Sequence, residues 1–534
     1  MLKQIILLSG PVSSGKSNLA KRLRDRHGLT VVSTRELIRQ LEPNVEPERK
    51  AMQRAGERLD RKTEGGWVAE AVGRLTTNNS DIEYLVVDAV RIRNQIAGLR
   101  RAYGSKVIHI HLTASDEVLR DRYLKKQSPI QELPTYADVQ KNATERNVKK
   151  LAEFADVVIN TDRCLPEDIS VRAASHIGIY GRTFYQNVDV LVGGQYGSEG
   201  KGQVVAFLSK EYDYLVRVGG PNAGHKVWAS TGSYTFHHLP SGTRSSDAKL
   251  IIGAGAVLRL PDLLKEIAEH TVRRDRLVID PNAILIEDED IVIEKELEKS
   301  IGSTARGVGA ATARKILRTI AKPKVRLVRN EPELAAFMGE TREILEKAHS
   351  EGKKILLEGT QGTALSIHHG MYPYVTSRDT TVAGCLAEAG ISPARVRKIV
   401  MVCRTYPIRV QSPEDGTSGY MSQEISLEEI HKRSGIPLEE LQRIEKTSTT
   451  NKKRRIAEFD WTLIRMASCL NSPTDIALTF SDYFTIENQK ARRFEQLSIE
   501  TINFIEELEK VASAPVSLIS TRFHSRSIID RRMW

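Results

Sequence analysis

Residues 188–202 read Val188-Asp-Val-Leu-Val-Gly-Gly-Gln-Tyr-Gly-Ser-Glu-Gly-Lys-Gly202. An apolar, largely β-branched run passes into a turn holding five glycines, and a helical pattern follows from Gln203. A buried strand, a glycine turn and a helix in that order place backbone N–H groups at a helix N-terminus, which is how α/β domains bind phosphate. The same order opens the chain. Gln4–Leu8 is apolar, Gly10–Ser17 is the turn, and Ser17–His27 has helical periodicity. Two such starts predict two α/β units, 1–178 and 187–534. The stretch Gly178–Gln186 (GIYGRTFYQ) lies between them. Short apolar runs at Tyr84–Val87, Val107–Leu112, Leu250–Ile252, Lys354–Leu357 and Lys398–Val402 read as buried parallel strands between helical segments.

With 534 residues the chain exceeds one ordinary core, and 40% hydrophobic against 28% charged residues is ordinary globular composition. No apolar run approaches the roughly 18 residues of a membrane helix, and the apolar start runs into a glycine loop, not a cleavage site. Cys164, Cys385, Cys403 and Cys469 are scattered, which predicts neither a zinc site nor disulfides and suits the cytoplasm. The net charge of +11 suits either nucleic acid or several phosphates. Without a zinc finger, an RNP-like strand or a basic tail, phosphates are the expectation, with neither a nucleic-acid nor a membrane partner.

Gly10-Pro-Val-Ser-Ser-Gly15-Lys16-Ser17 fulfils GxxxxGK[ST] in the strand–turn–helix context the motif requires. Gly10 and Gly15 let the backbone curl around a phosphate, Lys16 supplies a cation, and the Ser17 hydroxyl is a magnesium ligand. Asp88 and Arg91 follow an apolar strand in Val86-Val-Asp-Ala-Val-Arg91, placing a metal-side acid beside an anion-gripping cation. With Val32-Ser-Thr-Arg-Glu-Leu-Ile-Arg39 and Asp116-Glu-Val-Leu-Arg-Asp-Arg122, this region resembles the nucleoside and deoxynucleoside monophosphate kinases. The resemblance implies a P-loop parallel sheet with flanking helices. Arg39 and Arg91 would grip the acceptor phosphate, and Arg122 would lie on a lid helix. The plainer alternatives are surface ion pairs for Arg91 and Arg122 and a helix cap for Asp88.

From Val188 onward six motifs follow in order: the glycine loop, Asn222-Ala-Gly-His225, Gly302–Gly309, Glu358-Gly-Thr-Gln-Gly-Thr363, His369–Ser377 and Thr449-Thr-Asn-Lys-Lys-Arg-Arg455. Together they resemble the adenylosuccinate synthetases over almost all of 188–534. The resemblance implies an α/β domain with a large central sheet and a ligase reaction. A triphosphate phosphorylates the 6-oxygen of a purine nucleoside monophosphate, and the amine of L-aspartate then displaces that phosphate. It further implies Mg2+, a GTP or ATP co-substrate and a homodimer. Mapped onto this chain, Gly197, Gly200 and Gly202 cradle phosphate, Lys201 is the cation beside the travelling phosphoryl group and His225 is the general acid. Gln361 contacts the 6-oxygen, while Asn222, Gly224, Thr304 and Thr376 surround the monophosphate and metal. Arg318 reaches the neighbouring subunit's nucleotide. Thr450, Lys452 and Arg454 hold the aspartate carboxylates, and Asp482 accepts from the triphosphate base.

Three departures stand out. The family's GDEGKG is GSEGKG here, so Ser198 replaces the acid that deprotonates purine N1 and ligates metal. Serine is no base near neutral pH and is a poorer ligand, although Ser198 with Gly224 remains the candidate metal pair. The phage 2-aminoadenylosuccinate synthetases, which this unit resembles, carry the same serine and act on dGMP. A hydroxyl leaves room for a 2-amino group and accepts its hydrogen bond. A guanine monophosphate, dGMP or GMP, is therefore expected ahead of IMP. Lys452 replaces a family arginine, and Phe480 replaces a lysine in Leu478-Thr-Phe-Ser-Asp482. GTP is expected first and ATP second. A standard IMP-using enzyme of purine biosynthesis and a nucleotide-sensing or defence protein remain the alternatives.

Overall fold

The computed structural model describes residues 2–125, 133–180, 185–229, 232–445, 453–524 and 527–533. Contacts divide the chain into two compact units, Met1–Arg182 and Thr183–Trp534.

The first unit is built on five parallel strands, in spatial order Thr30–Ser33, Tyr84–Asp88, Gln4–Ser9, Val107–Thr113 and Val157–Asn160. A parallel strand covered on both faces needs apolar side chains on both, and Ile5, Ile6, Leu7 and Leu8 supply them. Ile5 and Leu7 pack on one face with Leu85, Val87, Val68 and Leu99. Ile6 and Leu8 pack on the other with Leu19, Leu23, Ile110 and Ala173. Each of these strand side chains is fully buried, worth about 1.5–3 kcal/mol apiece.

The second unit is built on a nine-stranded central sheet, in order Leu277–Ile279, Lys249–Ile252, Tyr214–Arg217, Ile355–Glu358, Val188–Gly193, Val396–Arg404, Asp475–Thr479, Val516–Ser520 and Ile528–Asp530. All pairings are parallel except the last, which is antiparallel. Val188, Val190 and Val192 point to one apolar layer and Leu191 to the other. The layered α/β architecture expected for both units is what the chain adopts. The opening strand of each unit lies inside its sheet, so both glycine loops leave from the C-terminal ends of central strands. Among the described residues no helix is long and apolar enough to cross a membrane. All four cysteines are free.

Candidate functional site

In the first unit Gly15 caps the helix Lys16–His27 with a left-handed φ of 101°. Lys16 is buried under the loop, its Nζ donating to the Gly10 and Pro11 carbonyls at 2.8 and 2.7 Å. Ser17 Oγ donates to Asp88 Oδ2 at 2.8 Å, across from the end of the neighbouring strand. Asp88 Oδ1 is buried without a hydrogen-bond partner among the described residues. A hydroxyl beside a carboxylate with a spare oxygen suits a hard divalent cation, so Ser17 and Asp88 fit magnesium.

The same unit holds a cavity of about 100 Å3. Arg91 lines it and pairs with Glu145, which also accepts from Arg49 Nη2 at 2.9 Å. Burial opposes ionisation of Glu145, but the Arg91 and Arg49 charges hold its carboxyl below the usual range. Arg39 does not join them. Arg39 lies exposed in the last turn of Thr34–Leu41, and Arg35, four residues earlier, lines the cavity instead. A helix repeats its face every 3.6 residues, so spacing alone did not decide between the two. Arg122 lies on the helix Asp116–Leu124. Its guanidinium is bonded to Thr161 Oγ1 and O at 2.9 and 2.8 Å, outside the cavity wall. Arg35, Arg49 and Glu145 were missed in the sequence, since each stands in an ordinary charged helical segment.

The second unit contains a cavity of about 900 Å3. Along its floor runs the glycine loop, contributing Gly197, Ser198, Gly200, Lys201 and Gly202. Ser198 is exposed and takes a left-handed φ of 53°. Glu199, fully buried behind the loop, accepts from Gln195 N and Gly197 N at 3.1 and 2.8 Å and pairs with Lys201 Nζ. Gly202 has a packing reason: a Cβ there would stand 3.0 Å from His225 Cβ. The helix Lys201–Leu208 therefore lies tight against the strand His225–Ala229.

His225 lines the cavity while its Nδ1 meets Glu358 Oε1 at 2.5 Å. Glu358 closes the strand Ile355–Glu358 and also accepts from Ser241 N at 2.8 Å and Arg217 Nη1 at 3.3 Å. Burial alone would raise the Glu358 carboxyl. The Arg217 charge and the bonds from His225 and Ser241 overcome it and hold it down to about 2. Burial, followed by the Arg217 and Lys201 charges, lowers His225 from 6.5 to about 4. With Nδ1–H given to an ionised carboxylate, the neutral imidazole turns its Nε2 lone pair to the cavity. Near neutral pH this imidazole is therefore uncharged.

Asn222, Gly224, Thr304, Gln361 and Thr376 line the same cavity. Asn222 Nδ2 donates to Thr376 Oγ1 at 3.3 Å, and Asn222 Oδ1 is buried without a partner among the described residues. Gln361 takes a strained φ of 57°, and its buried Nε2 likewise has no such partner. An amide donor held in strain and left unpaired suits a ligand acceptor. Arg454 lines the cavity and donates to Glu445 Oε2 at 3.1 Å; Glu445 is shared with the fully buried Arg404. At the far end, burial pushes the Asp482 carboxyl up to about 7. Arg318 is exposed outside the cavity beside Ile316 and Leu317. Thr450 and Lys452 fall outside the described residues. Ser198 and the Gly224 carbonyl are neutral oxygen donors, and no cluster of three His, Cys, Asp or Glu suited to a metal occurs among the described residues. Magnesium fits here only with ligand phosphates supplying most of its shell.

The family profile for adenylosuccinate synthetase matches residues 190–331 and 319–488. The chain belongs to the adenylosuccinate synthetase family. The adenylosuccinate synthetase of Methanocaldococcus jannaschii is 36% identical over 352 residues, spanning 64% of this chain and 96% of that relative. The Pyrococcus horikoshii adenylosuccinate synthetase is 34% identical, spanning 64% and 98%. Among solved structures, the cyanophage S-2L succinoaminodeoxyadenylate synthetase, bound to dGMP and to dATP as an energy donor, is 27% identical with a TM-score of 0.55. That match covers 65% of this chain and 96% of that one. The Plasmodium falciparum adenylosuccinate synthetase shares the fold at 22% identity and TM-score 0.58, covering 65% and 100%. An AAA domain profile matches residues 6–148, so a P-loop kinase-like domain precedes the synthetase unit.

Proposed function

We propose that the second unit joins L-aspartate to C6 of a guanine-type monophosphate, dGMP or GMP, using a purine nucleoside triphosphate. The observation that carries this reading is Ser198, exposed to the cavity at the position where the family has a catalytic aspartate. A carboxylate there disfavours a purine carrying a 2-amino group, whereas a hydroxyl leaves space and accepts its hydrogen bond. The dGMP bound to the cyanophage relative supports the same choice. Gln361, with its unpaired amide nitrogen, donates to the 6-oxygen. Asn222, Thr304 and Thr376 hold the 5′-phosphate. Lys201 stabilises the phosphoryl group as it moves from the triphosphate to the 6-oxygen, and the purine N1 proton leaves to solvent past the exposed Ser198. His225 then meets that anionic oxygen with Nε2. Negative charge at Nε2 raises the imidazole pKa, so the ring holds a proton as the aspartate amine displaces phosphate. Arg454 pairs with an aspartate carboxylate. Bound magnesium supplies neutralisation of phosphate charge.

We further infer that the first unit is a nucleoside monophosphate kinase, with Lys16, Ser17 and Asp88 on the triphosphate side and Arg91 on the acceptor side. Arg318, exposed among Ile316 (69%), Leu317 (50%) and Ile320 (74%), supports a homodimer in which this arginine reaches the partner's nucleotide. The test is to incubate the full chain with aspartate, Mg2+, ATP or GTP, and each of dGMP, GMP and IMP, resolving products by mass. A succinyl adduct of a guanine nucleotide is expected. Turnover of IMP with none of dGMP or GMP overturns the acceptor assignment.

A further inference from the structure

One end of the large cavity lies beside the glycine loop, on the side away from Gln361. Thr479, the last residue of its strand, donates from Oγ1 to Glu199 O at 2.6 Å. A Cβ added to Gly200 would lie 3.7 Å from the Phe480 ring, whereas one on Gly197 would lie 3.5 Å from Gln361 Cα. The loop therefore has the monophosphate wall on one flank and Phe480, Asp482 and Gln489 on the other. Asp482 is 5% exposed. Its Oδ2 accepts from Gln489 Nε2 at 3.0 Å, and its buried Oδ1 has no partner among the described residues.

These two side chains present a particular pattern. Guanine offers adjacent donors, N1–H and N2–H2, beside the O6 acceptor, and is matched by a carboxylate free on both oxygens with a donor for O6. Adenine offers a donor, the 6-amine, beside an acceptor, N1. In its ionised form Asp482 offers Oδ1 as an acceptor, and the remaining N–H of the Gln489 amide is a donor, so the pair is complementary to adenine. Guanine N1–H would face the amide N–H, donor against donor, and Phe480 has no donor for O6. We propose that Gln489 is a specificity-determining residue of the triphosphate slot, selecting an adenine base through its hydrogen bond to Asp482. This rests on the reading of the second unit as a triphosphate-dependent ligase, and it reverses the sequence expectation of GTP.

The experiment compares ATP and GTP as donors for succinyl-nucleotide formation by the full chain, in the wild type, Gln489→Leu and Gln489→Ala. The wild type is expected to favour ATP by at least about tenfold in kcat/KM, the worth of one hydrogen bond matched against mismatched. Both variants are expected to reduce that ratio about tenfold, through KM for ATP, with KM for the monophosphate unmoved. A wild type that prefers GTP, or an ATP preference unchanged in both variants, overturns the assignment. Calorimetric titration of ADP and GDP into the full chain carrying Lys16→Ala separates the two readings. ADP preferred over GDP and the preference lost with Gln489→Leu upholds the slot assignment even where no succinyl product forms, which would instead sink the ligase reading. Equal binding of the two diphosphates overturns the slot.

Discussion

Glu358 and Arg217 stand side by side in register at the C-terminal ends of adjacent parallel strands, with the carboxylate and guanidinium both almost wholly removed from solvent. Arg217 also donates to three carbonyls, of Leu239, Ala223 and Phe236, so its position is fixed independently of Glu358. A buried acid against a fixed buried cation stays ionised, and an ionised acid at 2.5 Å from Nδ1 sets the tautomer of His225. Strand register, in other words, determines which nitrogen of the catalytic candidate faces the ligand.

Glu358→Gln removes that charge while keeping the shape. It is expected to lower kcat for succinyl-nucleotide formation by about 10–100-fold with little change in KM for aspartate, because the amide no longer enforces one imidazole tautomer. Leaving Arg217 uncompensated is expected to cost about 3 kcal/mol of stability. Initial rates and urea unfolding check the two halves separately. Wild-type kcat in a destabilised variant would confine Glu358 to packing.

The same cluster makes the second unit sensitive to acid. His225 lies at about 4 when folded against 6.5 when free, and Glu358 at about 2 against 4.5. Both folded values are depressed, so the unfolded chain binds protons first as pH falls. Stability is fully present above pH 6.5, declines between 6.5 and 4 through His225, and declines again between 4.5 and 2 through Glu358. The His225 part is on the order of 3 kcal/mol. Thermal melts at fixed ionic strength should show the midpoint falling from pH 6.5 to 4, and His225→Gln should flatten that segment. An unchanged slope in the variant would place the titrating group elsewhere.

Much of this was legible in the chain because strand–glycine–helix grammar is local. The opening strands, the capping Gly15 and Gly200, and most of the residues that line the 900 Å3 cavity follow from short motifs. What was not legible depends on pairing between distant segments. Glu358 was visible only as the first letter of a motif, and no motif pointed to Arg217. Nothing in either segment says that they share a register position. Arg39 and Arg35 differ by one helical turn, and only the packing of Thr34–Leu41 decides which faces the 100 Å3 cavity. Gln489 lies in a short 3-10 segment, Ile486–Lys490, with no motif to flag it.

Lys16 tests whether the two chemistries are separable. Its Nζ is held by loop carbonyls at 2.7 and 2.8 Å, in the position from which a P-loop lysine meets the β- and γ-phosphates. Lys16→Ala is expected to lower phosphoryl transfer to nucleoside monophosphates by at least about 100-fold. Aspartyl-purine formation should continue, because the second unit has its own loop and its own lysine. A coupled diphosphate assay and a succinyl-product assay on one preparation read both. Loss of both activities together would show that the units do not work independently.

Ser198→Asp tests the acceptor assignment most directly. Ser198 has φ 53°, a conformation that aspartate tolerates better than most residues, and its side chain faces open cavity, so the substitution brings little backbone strain. The new carboxylate restores a base for N1 and a charged metal ligand, and removes the space for a 2-amino group. Turnover of dGMP should fall about 100-fold and turnover of IMP should rise, a combined shift of about 1,000-fold in the ratio of kcat/KM values. Equimolar dGMP and IMP in one reaction, with the two succinyl products separated by mass, give that ratio without separate kinetics. If the variant still turned over dGMP ahead of IMP, the hydroxyl would not be what selects the purine.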